Sequence, residues 1–232
     1  MHALNLGEID AVAFDIDGTL YRNKDFYTRV FPHYLAHLRF FNKYNQVRKE
    51  LRADPQNDQG YKNLLTVQNC LLAKKLCCSE EKAEALLDKI VYSGLKKYFA
   101  RIKACKNAPG LIQKLRAQGK KIALLSDFPP EQKGEIWGIK KDCDVILGTE
   151  EIGALKPSPV PFKVLAEKLG LPAERILYIG NSHSYDVETP ASMGMKTAWF
   201  IPKIEGRLGK RSKKADITFW DYNQLEKILF EQ

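Results

Sequence analysis

Short apolar runs that each stop at small, polar or proline residues recur along this chain, and they restrict its fold more than any other feature. DAVAFDI at 10–16, KKIALLSDFPP at 120–130, ILYIGNSHS at 176–184 and MKTAWFIP at 195–202 read as buried strands. Helical stretches lie between them. NAPGLIQKLRAQG carries Pro109 in its first turn and Gly119 at its end, and SPVPFKVLAEKLG closes on Gly170. The terminal KADITFWDYNQLEKILFEQ reads as one more strand and a helix capped by Asp221. Strand and helix therefore alternate from about residue 105 onward. This pattern predicts an α/β fold with a doubly wound parallel sheet covered by helices on both faces. Its ligand crevice should lie beyond the carboxyl ends of the strands.

Residues from about 24 to 100 have a different periodicity. Leu64, Leu65, Leu71, Leu72, Leu86, Leu87 and Ile90 recur at helical spacing with few strand signals, which predicts a smaller all-helical insertion. RADPQNDQG at 52–60 breaks this region as a polar loop between two helices. The length of 232 residues, 44% of them apolar, suffices for one substantial core and a smaller second one. No run of eighteen uncharged apolar residues occurs, and the first residues lack a basic stretch followed by an apolar one, so a soluble protein without a membrane span is expected. Cys70, Cys77, Cys78, Cys105 and Cys143 are odd in number and show no C-x-x-C spacing, which fits free thiols in a reducing cytoplasm.

The formal charge of +9 favours anionic ligands, but lysines also decorate solvated helix faces, as at Lys74-Lys75 and Lys96-Lys97. Nucleic acid and phosphorylated small molecules are both compatible with it. KRSKK at 210–214 is a short basic loop, and no internal repeat or low-complexity tract is present.

The chemistry concentrates at the first strand end. In AVAFDIDGTLY, Asp15 and Asp17 are two residues apart, so an extended chain puts both side chains on one face before Gly18-Thr19 turns the backbone. Two carboxylates so placed repel each other, and a divalent cation relieves that repulsion. Hard oxygen ligands without histidine or thiol point to magnesium rather than zinc. A bare D-x-D can equally cap a turn.

The longer segment DIDGTLY resembles the first motif of the haloacid dehalogenase-like hydrolase superfamily, and further segments resemble its other motifs in order. The resemblance implies a Rossmann-like core in which Asp15 attacks phosphorus to form an aspartyl-phosphate. Asp17 is implied as the general acid and then the base. Thr19 would support the turn and orient the second aspartate. Ser126, ending KKIALLS, matches the second motif; its hydroxyl, with the adjoining Asp127 and nearby backbone N–H groups, would hold a phosphoryl oxygen. Lys156 in ALKPSP resembles the third motif, where lysine offsets the charge of nucleophile and phosphate. ILYIGNSHSYDV matches the fourth. Asp15, Asp17, Asp186 and Asn181 would then hold Mg2+, with Asn181 standing where many relatives carry aspartate. Ser182 could tie this loop together, and His183 could reach substrate.

With this resemblance the expected domains are a catalytic core of residues 1–20 and 104–232 and a helical cap of 21–103 inserted after the first motif, with all four motifs at predicted strand ends. Cap closure would exclude water and select substrate. The cap residues Arg22, Lys24, Arg29, Arg39, Arg48 and Arg52 could bind the distal part of an anionic substrate, and Tyr21, Phe26 and Tyr27 could line the pocket. Asp17 favours a phosphatase acting on a small phosphorylated metabolite, because an alkoxide leaving group needs a proton and a halide does not. A sugar phosphomutase retains the same acid. A binding module for nucleic acid or protein would be expected to have lost Asp15, Asp17 or Lys156, and none is lost, so no nucleic-acid partner is expected. The sequence sets no oligomeric state.

Overall fold

A computed structural model describes residues 4–231. Residues 1–3 and 232, which the expected core includes, lie outside the described residues. The chain runs β1 (Ala11–Phe14), then α1 (Asn23–Ala36), α2 (Leu38–Ala53), α3 (Leu64–Leu76), α4 (Glu80–Leu87) and α5 (Ser93–Phe99), with a π-helical turn, Asp88–Tyr92, joining the last two. It continues with α6 (Ala108–Ala117), β2 (Lys121–Ser126), β3 (Val145–Gly148), α7 (Thr149–Ile152), α8 (Val160–Leu169) and β4 (Ile176–Gly180). After these come α9 (Thr189–Ser192), β5 (Lys196–Phe200), α10 (Lys203–Arg207), β6 (Ile217–Phe219) and α11 (Tyr222–Phe230).

The six strands form one sheet in the order β3-β2-β1-β4-β5-β6, all parallel, with β1 aligned so that Phe14 pairs with Leu124 on one side and Ile179 on the other. A parallel sheet buries both faces, and the period-two alternation of side chains sorts the core accordingly. Val12, Phe14 and Ile16 join Leu111, Ile112 and Leu115 of α6 in one apolar cluster. Ala11 and Ala13 join Phe162, Leu165 and Leu169 of α8 in another. All four residues of β1 are buried, and a fully buried Phe14 contributes about 2 kcal/mol by apolar transfer. Alternation then places Asp15 on the alanine side, at the end of a strand that the packing makes rigid.

Sequence reasoning missed β3. Its run in CDVILGTE is short and flanked by charges, and its strand identity comes from pairing with β2. Asp221 caps α11 by accepting from the Gln224 N–H, and Gly170 ends α8 in the left-handed conformation, both as expected. Of the apolar positions at helical spacing in the insertion, Leu64, Leu72, Leu87 and Ile90 are buried, whereas Leu65 is exposed. Among the described residues no helix is long and apolar enough to cross a membrane, and all five cysteines are free thiols.

Candidate active site

The carboxyl ends of β1, β2 and β4 converge at the point where the strand order reverses around β1, which is where open α/β sheets bind ligands. Asp15 continues the β1 ladder through its N–H to the Ile179 carbonyl at 2.9 Å. Its Oδ1 accepts from Lys156 Nζ at 2.7 Å and its Oδ2 from the Thr19 hydroxyl at 2.8 Å. Thr19 thus orients the first aspartate, not the second, and reaches Asn181 Oδ1 at 3.4 Å on its other side. This correction follows from the turn: Gly18, at φ +86°, reverses the chain so that residue 19 returns over residue 15. An added Cβ on Gly18 would lie 2.6 Å from Asn181 Nδ2, so the turn and the Asn181 loop require each other.

Lys156 Nζ also donates to Asp186 Oδ1 at 2.8 Å and to the Tyr178 hydroxyl at 3.2 Å. Burial pushes this ammonium down, but the Asp15 and Asp186 carboxylates outweigh it and hold Lys156 well above the usual lysine value. Asp15 moves the other way from its ordinary range. Burial drives its carboxyl up to about 7 against the pull of Lys156, and the negative charges of Asp186 and Asp17 add to the rise. Lys156 does not end a strand, contrary to expectation. It lies between α7 and α8, beside a cis peptide to Pro157.

Asp186 sits in a π-helical turn, His183–Glu188, and its Oδ2 accepts from the Ser182 backbone N–H at 2.9 Å. Any side chain at Gly180 would collide with Asp186, so the strand-ending glycine is what lets this carboxylate approach Lys156 and Asp15. Ser182 ties the loop through its backbone. His183 contacts the Ser212 hydroxyl at 2.7 Å, next to the basic loop.

Asp17 faces a separate set of donors. Tyr21 Oη donates to its Oδ1 at 2.8 Å, Ser126 Oγ donates to its Oδ2 at 2.7 Å, and Lys133 Nζ stands 3.1 Å from Oδ2. The Lys133 ammonium also lies 3.4 Å from Ser126 Oγ, and its side chain is fully buried between the Phe99 and Phe128 rings. Sequence reasoning missed Lys133 altogether: it is one of 37 basic residues, in an irregular stretch after two prolines, and only the folding of that stretch back over β2 distinguishes it. Tyr21 combines a buried ring in the core with a hydroxyl on the site.

Asp127 lies in the lining of the cavity over Asp15, with its carboxylate already engaged by protein groups. Its carboxylate accepts from Arg52 Nη2 at 2.8 Å, Thr149 Oγ1 at 3.0 Å and the Lys156 backbone N–H at 3.2 Å. Burial raises its carboxyl, yet Arg52, Lys156 and Arg48 prevail and bring it down to about 2. The polar stretch at 52–60 is equally structural. Asn57 pairs its amide with both backbone groups of Leu155, at 2.9 and 2.8 Å, and Tyr61 N–H donates to the Gly153 carbonyl at 2.7 Å. This segment straps down the loop that carries Lys156.

Asp15 and Asp186 with the Asn181 amide oxygen form an all-oxygen donor set of the kind magnesium takes. Among the described residues no group of three or more His, Cys, Asp or Glu side chains is placed to hold a metal, and the Asp17 carboxyl is turned toward Tyr21, Ser126 and Lys133. Three carboxylates against two ammonium groups nevertheless leave a shortage of positive charge, which a phosphate dianion would deepen. The donor set therefore fits a hard divalent cation through two carboxylates and one amide.

A cavity of about 680 Å³ opens above these groups, with Asp15, Asp17, Lys156, Asn181 and Asp186 in its floor and Phe26, Tyr27, Phe31 and Phe99 of the helical insertion in its walls. Arg22, Lys24, Arg29, Arg39, Arg48 and Arg52 are all absent from its lining. Arg48 is buried and paired with Glu150, Arg52 with Asp127, and Lys24, Arg29 and Arg39 are exposed on helix faces. The expectation that these residues bind the distal part of a substrate in the cavity over Asp15 is thereby corrected: of the arginines of α2, Arg48 and Arg52 turn toward the core and Arg39 toward solvent.

Among curated proteins the chain is 25% identical over 210 residues to 5-amino-6-(5-phospho-D-ribitylamino)uracil phosphatase YigB of Escherichia coli, covering 85% of this chain and 86% of that one. It is 23% identical over 225 residues to pyrophosphatase PpaX of Bacillus cereus, covering 96% and 97% of the two chains. A solved L-2-haloacid dehalogenase from Xanthobacter autotrophicus superposes with a TM-score of 0.64 at 15% identity over 95% of this chain and 98% of its own, a likeness of fold alone. The haloacid dehalogenase-like hydrolase model matches residues 9–194, a span that begins before β1 and ends after Asp186. That span takes in both aspartates of β1 and the lysine and carboxylate that meet at Asp15, so the chain belongs to the haloacid dehalogenase-like hydrolase family.

Proposed function

We propose that this hydrolase is a phosphatase of small phosphate monoesters, with Asp15 as nucleophile and Asp17 as general acid and base. The observation that carries this reading is the separation of the two aspartates into different environments. Asp15 is held by Lys156 and Thr19, while Asp17 is held apart by Tyr21, Ser126 and Lys133. The names of the curated relatives, a 5-amino-6-(5-phospho-D-ribitylamino)uracil phosphatase and a pyrophosphatase, support phosphoryl chemistry. A dehalogenase has no need of an acid at position 17.

In the first step an Asp15 oxygen bonds to phosphorus as the ester P–O bond breaks, and Asp17 gives its proton to the departing alkoxide. In the second, Asp17 takes a proton from water whose oxygen attacks phosphorus, and the Asp15–phosphorus bond breaks to release inorganic phosphate. Lys156 supplies a donor for the phosphoryl oxygens, while Ser126 and Lys133 hold Asp17 in place. Magnesium held by Asp15, Asp186 and Asn181 would supply further positive charge for the phosphoryl group. The helical insertion, 21–103, serves as the cap that excludes water. Free thiols throughout fit a reducing cytoplasm.

Hydrolysis of p-nitrophenyl phosphate by the full chain tests this reading. Turnover should require magnesium and fall by ~10³-fold or more in Asp15→Asn. A folded wild-type protein that is inert toward a broad panel of phosphate esters would refute it.

A further inference from the structure

The walls of the cavity over Asp15 define what the leaving alcohol carries. Among the described residues lining it, Lys156 is the single cation, and it sits in the floor, committed to Asp15 and Asp186. Above the floor the lining is aromatic and aliphatic. Phe26 stacks on Phe99 with ring centroids 5.1 Å apart, Tyr34 stacks on Phe41 at 5.1 Å, and Tyr27 and Phe31 stand exposed. Asn23 and Asn45 add amides to an otherwise mainly apolar lining, and the Gln132 amide already donates to the Val91 and Tyr92 carbonyls. The Tyr44 hydroxyl, by contrast, is buried beside the cavity with no hydrogen-bond partner among the described residues.

A second anionic group on the substrate would be desolvated here with no cation to receive it, and a polyol would lose water hydrogen bonds that these walls do not replace. A flat apolar body would instead gain burial and ring contacts. A neighbouring hollow of about 510 Å³ does hold Arg22, Lys24, Lys203 and Lys210. It also holds Asp25 and Glu205, and neither Asp15, Asp17 nor Lys156 lines it.

Resting on the phosphatase reading above, we infer that the substrate is a phosphate monoester whose alcohol bears an uncharged aromatic or heteroaromatic body, rather than a phosphorylated acid, a sugar phosphate or pyrophosphate. The experiment compares kcat/KM of the full chain, with magnesium, for 2-phenylethyl phosphate, glycerol 1-phosphate, phosphoglycolate, pyrophosphate and acetyl phosphate. The first three leave as alkyl alcohols of similar basicity, so their differences report binding in the cavity, and acetyl phosphate reports the chemistry with little to fill it. The aromatic ester should exceed glycerol 1-phosphate, phosphoglycolate and pyrophosphate by at least about tenfold, and Tyr27→Ala and Phe31→Ala should each cut that preference through KM. Phosphoglycolate, glycerol 1-phosphate or pyrophosphate turned over as well as the aromatic ester overturns the inference and leaves the phosphatase reading standing, and so does a preference that both substitutions leave intact. Failure to hydrolyse any of the five, acetyl phosphate included, overturns both.

Discussion

Helix α2 and the strap that follows it touch the core through buried ions and paired amides, whereas α1 and α5 face it across an aromatic cavity. In the first region Arg48 pairs with Glu150, donates to Gln68 at 3.2 Å, and donates to the Asp127 carbonyl at 2.8 Å, while the Tyr92 hydroxyl donates to Glu150 at 2.8 Å. Burial pushes the Glu150 carboxyl up against the pull of Arg48 and the Tyr92 bond, so this carboxylate depends on its partners for its charge. In the second region Tyr27, Phe31 and Leu35 of α1 are more than half exposed. The contrast teaches that one insertion does two jobs. Its polar half fixes the loop bearing Lys156, and its aromatic half encloses the space above Asp15.

Breaking the polar half should have the largest effect on stability. Arg48→Met strips Glu150 of its partner and should lower the unfolding free energy by about 3–5 kcal/mol, read from urea denaturation. A loss below about 1 kcal/mol would mean that α2 is not fastened there.

Acid probes the same half through Asp127. Its carboxyl is depressed to about 2, so its contribution is fully present above the unfolded value near 4 and drains away as pH falls toward 2. That contribution amounts to about 2 kcal/mol. Wild type and Asp127→Asn should therefore differ in stability at pH 6 and approach each other by pH 2. A difference independent of pH would assign the effect to hydrogen bonding alone.

The smallest effect belongs to the aromatic half. Phe31→Ser removes a ring that is 58% exposed and should leave stability within about 0.5 kcal/mol of wild type. A larger loss would show that α1 is part of the core packing, not a wall around substrate.

The placement of Asp15 at the end of a buried strand was legible in the sequence because local features carry it. An apolar run fixes β1 as a buried strand, its period of two fixes the side that Asp15 takes, and Gly18 fixes the turn. Ser126 and Asp186 were legible for the same reason, since each follows an apolar run that packing converts into a central strand. The helical character of residues 24–100 was legible from periodicity.

Other assignments depended on tertiary structure because they involve distant pairs of residues. Lys133 becomes a neighbour of Asp17 only when an irregular stretch folds back over β2. RADPQNDQG reads as a polar loop until Asn57 meets Leu155, 98 residues away. The partners of the Asp127 carboxylate, Arg52 and Thr149, are 75 and 22 residues away. Arginine on a helix has the same composition whether it faces solvent, substrate or a buried glutamate, and the surroundings on each side of α2 decided among them. The sequence by itself determined the strand ends and the acids placed there, since those follow from local alternation and turn chemistry. Tertiary structure alone decided which cations reach those acids and which side chains wall the cavity, because pairing and burial depend on what distant segments bring.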